Sequence, residues 1–565
     1  MKNRYLLLVY ILTILSCKKD FLERTPSDFI SEGEVFGNLE NATNFLNNAY
    51  NQLPDYLTMS GTPPNAYNLG AGTDELAYMH TYPLSAREFN TGSWNPVSFP
   101  MQWLWTDYYM AIRRINIFIK NYDLIPEEVS SGGSSRKRRL LGEAYGLRAF
   151  YYFQLYKMWG AVPLIDKPLD PSGNDNIMLE RSNIDDVVAF IKKDVAQAVS
   201  LLPPRLDDSQ FGRMNATVAK ALLSRLTLYY ASPLSNPGNN QERWQEAVTA
   251  TKEAIDIAVQ AGHSLSLGDV GGRKAYERIF LELRNPEVIW TKNITTQTGT
   301  YVNGPEAWDF FSSSLGYAGW YGFGPLQEMV DSYEMINGEI PVLGYTSNGA
   351  PIVNPVAAYD PQHPFVNRDP RFYQCILYHG AMWQGRAVNV APGGLDNNTS
   401  DRGRINYFCR KYVDEGHNLF SNSGTSYRRY AIFRLGELYL NYAEALNEVS
   451  GHSNEVYDML NMIRDRAGMP PLPAGLSQGQ LRERIRHERK IELAFESHRF
   501  WDVRRWKIAE QVDKGPVHGI AVSAAGAFSY PVFEIRIFDK NKHYLFPVPQ
   551  LELDKNHLLI QNSGW

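Results

Sequence analysis

Between Leu481 and Trp506 the chain reads LRERIRHERKIELAFESHRFWDVRRW, its densest concentration of groups that could move protons or hold a metal. His487, Glu488, Glu492, Glu496, His498 and Asp502 stand there among seven arginines. A His-Glu pair opens a zinc-protease helix only when a second histidine follows four positions after the first. That position is Ile491, so the site is absent. Glu492 and Glu496 are spaced one helical turn apart with Arg489 and Arg499 nearby, which predicts ion pairs along a helix flank rather than acids with raised pKa. Ile485, Leu493, Phe495, Phe500 and Trp506 would pack inward. The stretch therefore reads as scaffold, because carboxylate-arginine networks perturb charge without doing chemistry.

Other reactive patterns are missing. The sequence has no phosphate-cradling or nucleophile-elbow motif, and Gly322-Phe323-Gly324 lacks the strand-and-helix setting of a dinucleotide loop. No facing carboxylate pair stands out for glycoside hydrolysis. Cys375 and Cys409 form no C-x-x-C motif. No cofactor, metal site or catalytic residue is expected. A net charge of -5 gives no electrostatic case for nucleic acid.

Aromatic residues are abundant instead: 34 Tyr, 26 Phe and 12 Trp in 565 residues. Sugar rings present an apolar C-H face ringed by hydroxyls, which suits Trp or Tyr beside Asp, Asn and Arg. Trp94 beside Asn95, with Asp74 and Arg87 on the same loop, is the strongest candidate of this kind.

The elements that must hold such loops follow from periodicity. Lys2 and Arg4 precede an apolar run from Tyr5 to Leu15, then Ser16 and Cys17. The run is too short to span a bilayer and fits a signal over residues 1–16, with lipid on the Cys17 sulfur. Helical spacing then pairs Val35–Leu53 with Trp105–Ile119, Leu140–Met158 with Ile184–Leu202, Ala216–Ala231 with Ala247–Ala258, and Leu435–Leu446 with Val456–Ala467. Ser182 and Asp185 suggest a capping box for the fourth helix. Such hairpins resemble tetratricopeptide units, interrupted by long inserts. The fold expected is mainly α: four TPR-like hairpins over about 34–261 and 430–510, packed against a loop-rich insert at about 262–429 with short strands, all in one domain over 17–565. Unpatterned stretches this long are usually functional.

Four stretches carry a family resemblance: the lipobox at Cys17, RAFYYFQLYKMWGAVPL from Arg148, ERKIELAFESHRFWDVRRW from Glu488, and LFPVPQLELDKN from Leu545. In these the chain closely resembles the SusD/RagB family of outer-membrane nutrient-uptake lipoproteins of Bacteroidetes. It departs at Ser497, where the family commonly has Gly, and at His557, where it usually has Pro. The resemblance implies a non-enzymatic, surface-facing lipoprotein of the outer membrane that captures oligosaccharide or polysaccharide and passes it to a SusC-like TonB-dependent transporter. Its ligand region would combine Asp74, Arg87, Trp94 and Asn95 with Tyr301, Trp308, Trp320 and Tyr321 of the insert. A RagB-like peptide or glycopeptide carrier is the alternative reading, and a surface glycosidase a third.

Overall fold

The computed structural model describes residues 31–565, except 58, 61–64, 67, 81–84, 129–134, 171, 174, 293–306, 347–348, 398–404, 422–429 and 452. Cys17 and its leader lie outside the described residues.

The main helices are α1 Leu39–Tyr50, α2 Leu104–Lys120, α3 Arg136–Trp159, α4 Ile184–Leu201, α5 Ala216–Ala231, α6 Gln241–Gln260, α7 Leu435–Ser450, α8 Asn454–Ala467, α9 Gln478–Glu492 and α10 Arg499–Arg505. The main strands are β1 Leu76–Tyr78, β2 Val288–Thr291, β3 Phe323–Pro325, β4 Val342–Tyr345, β5 Pro351–Val353, β6 Ala431–Arg434, β7 Gly515–His518 and β8 Val532–Arg536. The fold is mainly helical with short antiparallel strand pairs, as the periodicity predicts.

Local sequence explains where the helices start and stop. Asn38, Asn183, Asn215 and Asn240 each precede a helix and accept a hydrogen bond from a first-turn backbone N–H, satisfying a donor the helix leaves orphaned. The cap of α4 is thus Asn183, not the Ser182 expected from sequence: its carboxamide oxygen accepts from the Asp186 N–H at 2.8 Å. Gly160, at φ +74°, ends α3 in a conformation closed to most L-residues.

Each helix from α1 to α7 packs against the next in a continuous stack, and α7 also contacts α8 and α9. Small residues permit close approach. A Cβ on Gly142 of α3 would lie 2.7 Å from Leu202, and one on Gly146 would lie 2.6 Å from Met214. Between α5 and α6 the hydroxyls of Ser224 and Thr251 bond at 2.8 Å.

Helix α7 packs on α6 although the whole insert separates them in sequence, so the insert leaves the stack and returns to the same place. Its neck is closed by β2 and β6, paired through Phe433 with Trp290 and Arg434 with Val288.

The stretch 481–506 differs from a single helix. Helix α9 ends at Glu492, and Phe495 at φ +62° and Ser497 at φ +64° turn the chain through the left-handed region before α10 begins. A residue there is strained unless it is glycine, which accounts for the family's preference at position 497. The carboxylates are paired as expected for scaffold, but mostly with distant partners rather than along one helix flank. Arg434 bonds Glu287 at 2.7 Å and both Glu492 and Glu496 at 2.8 Å. Arg371 reaches Glu488 at 2.6 Å and Glu492 at 3.0 Å, Arg464 joins Glu488 to Glu334, and Lys411 holds Glu496 at 2.8 Å. Burial opposes charge on Glu492, but Arg466, Arg434 and Arg371 outweigh it and hold the carboxyl well below its ordinary range. Burial, reinforced by surrounding cations, pushes the imidazoles of His487 and His498 well below theirs.

Removing one partner of a buried ion pair costs about 3–5 kcal/mol because the other charge is left uncompensated. Arg434→Met should therefore lower the unfolding free energy by about that amount, measured as a fall in denaturant midpoint. An unchanged midpoint would show that the network adds nothing to stability.

Candidate functional site

Strands β1 and β3 bring the first loop and the insert together, pairing Leu76 with Pro325 and Tyr78 with Phe323. The ladder extends through the Met79 N–H, which donates to the Gly322 carbonyl at 2.8 Å. At its end a cluster of rings forms. Trp320, half-buried, lies 4.8 Å from His80, 5.3 Å from Phe311 and 5.7 Å from half-buried Phe310. The loop that presents Trp320 is held by its own backbone: the Trp320 N–H donates to the Phe310 carbonyl at 2.7 Å, and the Gly322 N–H to the Phe311 carbonyl at 2.6 Å. A Cβ on Gly322 would meet the Phe311 ring at 2.5 Å, so glycine is required for that approach.

Arg87 reaches the same rim. Its side chain, 28% exposed, donates to the Met79 carbonyl at 3.4 Å and stands 3.7 Å from Glu534. The rim therefore offers half-buried ring surface beside a cation whose charge is partly offset, an arrangement suited to stacking and hydrogen-bonding a flat polar ligand.

The structure separates the residues singled out from sequence. Arg87 is bonded to Met79, next in sequence to the His80 that packs on Trp320, whereas Trp94 is only 2% exposed and belongs to a different group of rings. Its ring stacks on His543 at 4.9 Å and packs against Trp565 at 4.5 Å and Phe89 at 5.2 Å, so its faces are covered by protein. Neighbouring Asn95 is exposed, but its carboxamide oxygen accepts from the Val97 and Ser98 N–H groups and closes a turn.

Asp74 is 7% exposed and clamped by Lys490 at 2.8 Å and Arg499 at 2.8 and 2.9 Å. Burial opposes its ionisation, but Arg499 and Lys490 prevail and hold the carboxyl well below its ordinary range. The adjacent Glu75 goes the other way: burial, with the Asp74 carboxylate beside it, pushes it up to about 8. Trp308 is buried, donating from Nε1 to the Lys411 carbonyl at 3.0 Å. The buried Tyr321 hydroxyl accepts from the Asn406 N–H at 2.6 Å. Asp74, Trp308 and Tyr321 are thus buried and bonded within the protein rather than presented at the surface. Tyr301 lies outside the described residues.

His80 and Phe310 complete the rim without having been singled out as site residues. Phe310 belongs to the aromatic crowd of the insert, while the pairing that places His80 beside Trp320 leaves no local signal. Among the described residues no group of three or more His, Cys, Asp or Glu is placed to hold a metal ion.

The chain matches the family model described as the SusD family over residues 286–565, and the one described as starch-binding associating with outer membrane over residues 21–228. With this fold and these matches, the chain belongs to the SusD/RagB family. Among its relatives is the SusD-like protein P2 of Formosa agariphila, 27% identical, with the match covering 81% of this chain and 79% of that protein. The crystal structure of a SusD-like protein from Bacteroides fragilis is similar with TM-score 0.78 at 26% identity, covering 96% of this chain and all of the other. A solved laminarin-binding SusD-like protein shares the fold with TM-score 0.62 at 24% identity over 94% of this chain and 100% of that one.

Truncating a buried tryptophan costs about 3–5 kcal/mol through lost burial and the cavity left behind. Trp94→Ala is therefore expected to lower the unfolding midpoint markedly. A variant of unchanged stability would mean the ring is not part of the core.

Proposed function

We propose that this protein is a non-enzymatic, surface-exposed lipoprotein that binds oligosaccharide at the Trp320 rim and delivers it to a SusC-like TonB-dependent transporter. The observation that carries this reading is the half-buried Trp320 packed on His80 and Phe310, with Arg87 anchored on Met79 next in sequence to His80. Family membership supports it, as do the match to a family model described as starch-binding and the likeness to a solved laminarin-binding protein. Within the site, Trp320 and Arg87 contact the sugar, while Asp74, Trp308 and Tyr321 position them. Tyr301 is kept as a further ligand contact on the family resemblance alone. Trp94 supports the fold, and the framework from residue 17 onward acts as one domain.

Lipid on Cys17 would fix the chain to the outer membrane after removal of residues 1–16. Among the described residues no helix is long and apolar enough to cross a membrane. Several acyl chains, at about 0.8 kcal/mol per buried CH2, hold a protein durably.

Titration with laminarihexaose and maltohexaose tests the binding role. Saturable binding without products is expected, weakened at least tenfold by Trp320→Ala at unchanged fold, a loss of about 1.4 kcal/mol. Appearance of shorter sugars would overturn the non-enzymatic reading. Cys17→Ala should move the protein from the membrane to the soluble fraction of fractionated cells; continued membrane association would overturn the anchor.

A further inference from the structure

A second cleft lies apart from the Trp320 rim and shares no lining residue with it. It has a volume of about 610 Å³ and is walled by Tyr345 and Gly349 of the β4–β5 hairpin, Pro516 and His518 of β7, and Tyr530 and Val532 at the start of β8. That volume falls within the range of about 300–1,000 Å³ typical of small-ligand sites.

Its construction is specific. The β7–β8 ladder pairs His518 with Val532 across a register shift. Gly349, at φ +80°, closes the hairpin turn, its N–H donating to the Thr346 carbonyl at 2.9 Å. Half-buried Tyr345 stacks on the His518 imidazole at 4.9 Å with planes 23° apart, and lies 5.7 Å from Tyr530. The Tyr345 hydroxyl donates to Asp331, which also accepts from Gln327, so the ring is fixed from behind.

His518 is held as firmly. Glu328 receives its Nδ1 at 2.6 Å and its backbone N–H at 3.0 Å. Among the described residues Nε2 makes no hydrogen bond, and the His518 ring lines the cleft. The bond to Glu328 raises the imidazole above its ordinary pKa, which favours a protonated Nε2 able to donate. Val532 is 44% exposed and adds apolar floor.

We propose that this cleft binds a pyranose ring of a neutral saccharide, its C-H face against Tyr345, Pro516 and Val532 and a hydroxyl on His518 Nε2. The ring walls supply apolar contact and the imidazole supplies direction. Charge selects neutrality: Glu328 already offsets any positive charge on His518, and Asp331 stands behind the wall, so among the described lining residues a carboxylated sugar would meet no unpaired positive charge. Burial pushes Asp331 up to about 6, which leaves it ionised in part or in full above that pH and further disfavours an anionic ligand. The proposal rests on the saccharide-binding reading of the protein but names a separate place.

Hydrogen exchange of the full mature chain with millimolar maltohexaose or laminarihexaose tests it. Exchange is expected to slow severalfold at residues 345–349 and 515–519, and to remain slowed there in Trp320→Ala. Val532→Glu, which puts a charge on the cleft floor without removing a side-chain hydrogen bond, should abolish that protection and leave protection around residues 310–322 intact. Protection confined to the Trp320 rim would overturn the second cleft alone. Protection at neither place would overturn both readings.

Discussion

The fold depends on burying a large number of charges together. Arg371, Arg434, Arg464, Arg466 and Lys411 interlock with Glu287, Glu334, Asp369, Glu488, Glu492 and Glu496 in a single connected network. No member could be buried alone, since an isolated charge in an apolar interior costs far more than a folded domain can offset. The network therefore forms only when four separate parts of the chain arrive at once: the insert, the strand before α7, the C-terminal half of α8, and α9. Its value is in making that meeting cooperative and unique, more than in net stability, because a buried ion pair is often no better than a well-packed apolar substitute.

The same stretch ties down the loops. Lys490 and Arg499 reach the first loop through Asp74, Arg489 and Arg505 reach Asp502, and Arg505 and Trp506 reach Glu444 of α7. The insert is pinched by β2 and β6 at its neck and joined to the first loop by β1 and β3. The described parts of these loops are thus tied to the helical stack at several points.

Helix positions were legible because an amphipathic period and its caps are local properties, written within one or two turns. The scaffold role of 481–506 was also legible, from the missing second histidine and the excess of arginine. Its partners were not: Arg434 and Glu492 meet across a distance that no sequence pattern encodes. Trp94 illustrates the same limit. Its surroundings, Gly92-Ser93-Trp94-Asn95-Pro96, have the composition of an exposed loop, yet His543 and Trp565 come from the far end of the chain to cover it. Trp320 was legible as one of the insert aromatics that the family resemblance implicates, whereas its neighbour His80 was selected by a strand pairing visible only in three dimensions.

Glu75 has a consequence for how the chain matures. With its carboxyl pushed to about 8, and Asp513 raised by burial to about 7, the folded molecule near neutrality retains protons that the unfolded chain has already released. These two groups couple folding to proton uptake, and the stability they contribute is lost as pH climbs from the ordinary carboxylate range through these raised values. In more acidic medium the buried imidazoles of His487 and His498, held neutral in the folded chain, oppose this by shedding protons on folding, so the two kinds of buried group pull the pH dependence of assembly in opposite directions.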